Sequence, residues 1–174
     1  MGLYLMAVNK SYGYNKDGEN KKGNKEYYDC RFGYGGYKFL RDKIIKYLSN
    51  GKISTIEELA LLTNNSVWHD DKTCEVHIYL EEFEFELRNN KEVLSYLVDI
   101  QKIKNDYPKL YDCYAWLMHC DCDGEMPYKQ LVPVISHLKE YILQNTNILE
   151  IEEVNELIEC MQSAIDNKGK LYFC

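Results

Sequence analysis

The chain has 174 residues, 45% apolar and 13% aromatic, with 21 Lys and Arg against 28 Asp and Glu for a formal charge of −7. This composition excludes disorder, and the length is enough to bury about two-thirds of the unfolded chain's surface in a core of its own. At long range the charge repels phosphate backbones and anionic lipid, which disfavours nonspecific nucleic-acid binding and attachment to a membrane surface.

The first residues show no charged segment followed by an apolar one, and Met6 stands where myristoylation requires Ser or Thr. No apolar run reaches the length of a bilayer span, and the seven cysteines are odd in number. Reduced thiols in a cytoplasmic protein are the expectation.

Leu3 to Val8 is a short apolar and aromatic run that predicts a strand inside a sheet. From Asn9 to Glu26 the chain is rich in Gly, Asn and Lys, which predicts an exposed polar excursion or hairpin tip. Lys16, Lys21, Lys22 and Lys25 fall there, diluted by Asp17 and Glu19, and read as a solvated loop rather than a nucleic-acid patch. Tyr27 to Phe32 is the returning strand. Tyr37, Leu40, Ile44 and Leu48 then share one face of a helix that Asn50-Gly51 ends. Thr55 with Glu58 forms a capping box for a short helix burying Ile56, Leu59 and Leu62.

The segment from Cys74 to Leu87 alternates with a period of two and predicts a strand with a change of phase near Glu81-Glu82. A helix start at Asn89 and Glu92 continues to about Asp106, Pro108 breaks it, and Leu110, Tyr114 and Leu117 mark another short helix. Pro127 suits the first position of a helix carrying Leu131, Ile135, Leu138 and Ile142, which Pro133 should kink or divide. A last helix spans Glu152 to Asn167 with Gly169 as its cap, and Leu171 to Phe173 ends as an edge strand. The whole predicts one α+β domain with a small, mostly antiparallel sheet and five or six helices.

The densest set of ligand-type side chains is His119-Cys120-Asp121-Cys122-Asp123-Gly124-Glu125. Carboxylates at 121, 123 and 125 can converge in an extended loop on a hard divalent cation. The EF-hand pattern fails, because with Gly124 at loop position six His119 and Gln130 occupy the positions that need acids. Zinc on Cys113, His119, Cys120 and Cys122 lacks the usual ligand spacing. The bland alternative has Asp123 and Glu125 accepting N–H bonds at the start of the following helix. A second cluster, His69, Asp70, Asp71, Cys74 and His77 beside Trp68, has no recognised ligand spacing, and the glycine run at 33–36 matches no phosphate loop.

Arginine occurs only at 31, 41 and 88, and Arg41 follows Phe32-Gly33-Tyr34-Gly35-Gly36-Tyr37. Arginine is the better partner for a buried carboxylate, so Arg41 is expected to pair with Asp121 or Asp123. Tyr34, Tyr37, Arg41, His119, Asp121, Asp123 and Glu125 therefore form the candidate binding set, with Asp121, Asp123 and Glu125 as candidate metal ligands.

The short Met-Gly-Leu strand, the Gly33–Arg41 element and the His119–Glu125 turn together resemble a group of small bacterial proteins without known activity. Their pattern is Gly-Tyr-x-x-Phe-x-x-x-Arg followed by His-Ser-Asp-Cys-Asp-Gly-Glu. Here Tyr37 stands for the Phe, Cys120 for the Ser, and Met126 where a capping Thr or Ser is usual. The resemblance implies a shared fold and turn and supplies no function. With no complete catalytic motif, the expectation is a non-catalytic acidic binding or inhibitor protein of immunity-like or phage type, acting by protein–protein contact with a basic partner and no cofactor. The alternative is a metal-dependent hydrolase using Asp121, Asp123 and Glu125 with His119.

Overall fold

The computed structural model describes residues 3–33, 35–62, 101–119 and 124–174. The strand expected within 74–87, the helix start at Asn89, the cluster around His69 and His77, and Tyr34, Cys120, Asp121, Cys122 and Asp123 lie outside the described residues. The fold is α+β, with one four-stranded antiparallel sheet and helices. It divides into two compact units, residues 1–34 with 121–174 and residues 35–120.

In the first unit the strands β1 (Leu3–Val8), β2 (Glu26–Phe32), β3 (Gly124–Pro127) and β4 (Lys170–Phe173) run in the order β2-β1-β4-β3. Period two sorts β1 into two faces. Leu5 sits opposite Cys30 and Phe173, and Ala7 opposite Tyr28 and Leu171. Met6 sits opposite Asp29 and Tyr172 on the other face. Tyr27 is the extra residue of a bulge, since Ala7 pairs with Tyr28 but Val8 with Glu26.

Two long helices, α4 (Tyr128–Gln144) and α5 (Ile148–Asp166), pack as a hairpin, and α5 lies against β1, β2 and β4. Its buried stripe is Val154, Leu157, Ile158, Cys160, Met161 and Ala164.

Several expectations need correction here. The C-terminal strand is interior, flanked by β1 and β3, and β3 occupies the end of the expected turn and the expected helix start. Pro133 does not divide α4, which runs through it unbroken. It lies near the start, so the one ladder bond its ring removes would have ended on the carbonyl of the exposed Lys129. Pro127 is the residue before the helix, which starts without a side-chain cap. Helix α5 begins at Ile148, four residues earlier than the apolar stripe indicated, because Asn147 caps it by accepting from the Glu150 N–H at 3.4 Å. At the other end Lys168 takes the left-handed conformation with φ 49°, and Gly169 is required for a different reason. A Cβ on Gly169 would fall 2.0 Å from the carbonyl oxygen of Val8.

The polar excursion at 9–26 is exposed over most of its length but is internally bonded. Asn9 donates through Nδ2 to the Gly23 carbonyl at 3.0 Å and accepts from the Lys25 N–H at 3.0 Å. Asn24 likewise holds Gly13 through its N–H at 3.1 Å and its carbonyl at 2.8 Å. Asparagine amides thus take the place of a regular ladder. Tyr12 is buried with Met6 and Val8, and packs on Tyr172 with ring centroids 5.4 Å apart.

The second unit holds α1 (Gly36–Leu48), α2 (Ile56–Leu62), helical residues 101–106 and α3 (Pro108–Leu117). Gly35 precedes α1 with φ 77°, a conformation that only glycine adopts without strain. The Asn50-Gly51 stop is left-handed at both residues, and the Gly51 N–H returns to the Lys46 carbonyl at 2.7 Å. Thr55 accepts from the Glu58 N–H as expected, while the Glu58 carboxylate reaches back to the N–H of Ser54 rather than Thr55. Ile56 and Leu59 are buried, but Leu62 is exposed.

Candidate functional site

In the second unit α1 brings three of the expected residues together. Arg41 is fully buried, and its Nη1 donates to the carbonyls of Leu117 at 3.0 Å and His119 at 2.7 Å. Leu117 ends α3, where carbonyls lack intrahelical partners and the helix dipole is negative. A permanent cation is well suited to gather them, and such charge-assisted bonds are about twice as strong as neutral ones. The guanidinium lies over the Tyr37 ring, 4.4 Å from its centroid, and that ring meets Trp116 edge-on at 6.2 Å. Tyr37, Trp116 and His119 are all buried.

Arg41, Tyr37 and the backbone of His119 therefore form one assembly that fixes the chain immediately ahead of residues 120–123. The described bonds of Arg41 end on backbone oxygens, whereas the sequence pointed to carboxylates at 121 and 123, which lie outside the described residues. Cys113 is buried in α3, and burial raises its thiol well above the ordinary range.

Glu125 belongs to the other unit, on β3, where its carboxylate is held by Lys170 of β4. Lys170 and Glu125 are diagonal neighbours, since Pro127 faces Lys170 and Glu125 faces Tyr172. This places Glu125 in a ladder rather than at a helix start, because the strand pairing of 124–127 overrides the helix-cap reading. Among the described residues no group of three or more His, Cys, Asp or Glu side chains is placed to hold a metal ion. No described helix is long and apolar enough to cross a membrane.

One site escaped the sequence reading. At the tip of the α4–α5 hairpin Leu143, Ile148 and Leu149 are 86%, 70% and 73% exposed, which makes them the most solvent-exposed of the described large apolar side chains. Beneath them Glu150 is buried, accepting from the hydroxyl of Tyr141 and from Nδ2 of Asn145. Asn145 in turn accepts the Asn147 N–H at 3.0 Å, and Asn147 caps α5. Burial first, then the Glu150 carboxylate, push the Tyr141 hydroxyl well above the ordinary tyrosine range, so it acts only as a neutral donor. Glu140 is half-buried, Glu152, Glu153 and Glu156 are exposed, and Lys139 is the single cation between residues 139 and 156. The sequence signal was there, in an Ile-Leu pair just ahead of the expected helix start at Glu152, but its exposure shows only in the structure. Against family models, curated proteins and solved structures the chain finds no match.

Proposed function

We propose that this is a non-catalytic acidic protein that binds another protein, with the α4–α5 tip as its contact. The observation that carries this reading is the exposed apolar tip. Three large aliphatic side chains are held in water by a hydrogen-bonded turn that gives them no route to the core. Clustered exposed apolar groups of this kind mark interaction surfaces, and a preformed turn lowers the ordering penalty of binding. The acids around the tip and the −7 overall charge favour a partner whose apolar cleft is rimmed by Lys and Arg.

The test is to isolate the partner with the intact chain, purify it and measure the two-component affinity. Ile148→Ser with Leu149→Ser should weaken the complex at least tenfold, added salt should slow association, and a chelator should change nothing. A complex indifferent to the tip would sink the reading. A stoichiometric divalent ion lost on Asp121→Asn, with hydrolytic turnover, would replace it with the metal-dependent alternative.

A further inference from the structure

The two thiols that meet between the sheet and α5 have no part in that reading. Cys30 lies on β2 directly opposite Leu5 of β1. Cys160 lies on α5, and its thiol donates to the Leu5 carbonyl oxygen at 3.7 Å. Both are buried, neither is in a disulfide, and both lie against Leu5, Cys30 across the β1–β2 ladder and Cys160 from α5. The neighbouring Cys160 side chain first, and burial second, push the Cys30 thiol far above the ordinary range.

We infer that Cys30 and Cys160 form a reversible redox latch, closing a disulfide between β2 and α5 when a peroxide reaches them. The topology says how the oxidant gains entry. β2 is an edge strand, bonded on one side to β1 alone among the described strands, so Cys30 is exposed by local fraying while Cys160 stays on the long helix. A peroxide is hardly larger than water and fits where a bulky disulfide reagent would not.

The Cys30 thiolate attacks one peroxide oxygen, the O–O bond breaks, and the departing hydroxide takes a proton to become water. The resulting sulfenic acid is attacked by the Cys160 sulfur, the S–O bond breaks, and a second water leaves. Two thiols are oxidised by two electrons and one peroxide is reduced to two waters. The closed latch ties an edge strand to the helix across a long loop, which removes freedom from the unfolded chain.

The experiment treats the full chain with hydrogen peroxide, blocks remaining thiols in denaturant and maps peptides by mass spectrometry. A Cys30–Cys160 peptide that dithiothreitol reverses is expected, with the melting temperature raised by roughly 5 to 10 °C. Cys174→Ser, at an exposed thiol, should keep the link, whereas Cys160→Ala should leave Cys30 to proceed to sulfinic acid. The inference is overturned if the wild type carries sulfinic acid at Cys30 with Cys160 still reduced, if the link goes to another cysteine, or if the native chain leaves both thiols unoxidised. The wild-type map decides these outcomes even if the alanine variant fails to fold.

Discussion

Among the described residues two buried charged side chains, Arg41 and Glu150, each hold a turn of the chain, with opposite signs and opposite results. Arg41 draws backbone carbonyls inward and seals the end of α3 beneath a lid of aromatic rings. Glu150 draws a phenol and an amide inward, and by tightening the α4–α5 turn it leaves Leu143, Ile148 and Leu149 facing water. One device closes a surface and the other presents one. A buried charge therefore says that a turn is held fast, and only its surroundings say whether the turn is structural or meant for contact.

Removing the cation gives the largest effect. Arg41→Leu strands two buried carbonyls, and unfolding in urea should show a loss of about 3 kcal/mol or more. Arg41→Lys retains the charge without the fork and should lose about half as much. Glu150→Leu follows at about 2 kcal/mol, since the Tyr141 hydroxyl and the Asn145 amide lose a charged acceptor. Hydrogen exchange at 143–149 should accelerate in that variant while exchange in α3 stays unchanged. If both tips loosened together, the two devices would not be independent.

The exposed version of the same pair sharpens the contrast. Tyr28 on β2 donates to the Glu159 carboxylate at 2.6 Å, but at the surface. That bond, with lesser desolvation, pushes the Tyr28 hydroxyl up to about 12. Its raised value means the contribution is complete below the unfolded tyrosine value near pH 10 and is lost as pH climbs towards 12. Tyr28→Phe should lose only about 0.5 kcal/mol at neutral pH, and the gap from wild type should close between those limits. Smallest of all, Leu143→Ser, Ile148→Ser and Leu149→Ser should each change stability by less than about 0.5 kcal/mol, because these side chains bury little. Their effect belongs to binding, and a large loss of stability instead would mean the tip is part of the core.

Much of this was legible where the cause is local. The apolar run of Leu3–Val8, the stripe of α1, the Asn50-Gly51 stop and the break at Pro108 are each decided by neighbours in sequence, and each stands as read. What escaped depends on residues far apart. Residues 124–127 are a strand because β4 offers them a ladder, and nothing within those four positions says so. Arg41 drew notice as a rare arginine, but the carbonyls it holds carry no side-chain signal. Glu150 shares the face of Val154 and Leu157 at spacings of four and seven, but it is acidic and precedes the expected helix start at Glu152. Its burial follows from Tyr141 and Asn145 on the preceding helix and turn.

The place of β4 in the sheet carries a consequence for biosynthesis. The strand that joins β1 to β3 is the last of the four to be made, although β1 is the first. As the chain emerges from a ribosome, the β1–β2 hairpin must wait with one flank of its backbone unpaired until residue 173 has cleared the exit. Completion of the sheet is then a late, long-range closure, and during that delay the nascent chain is at its most vulnerable to pairing with a neighbour on the same message.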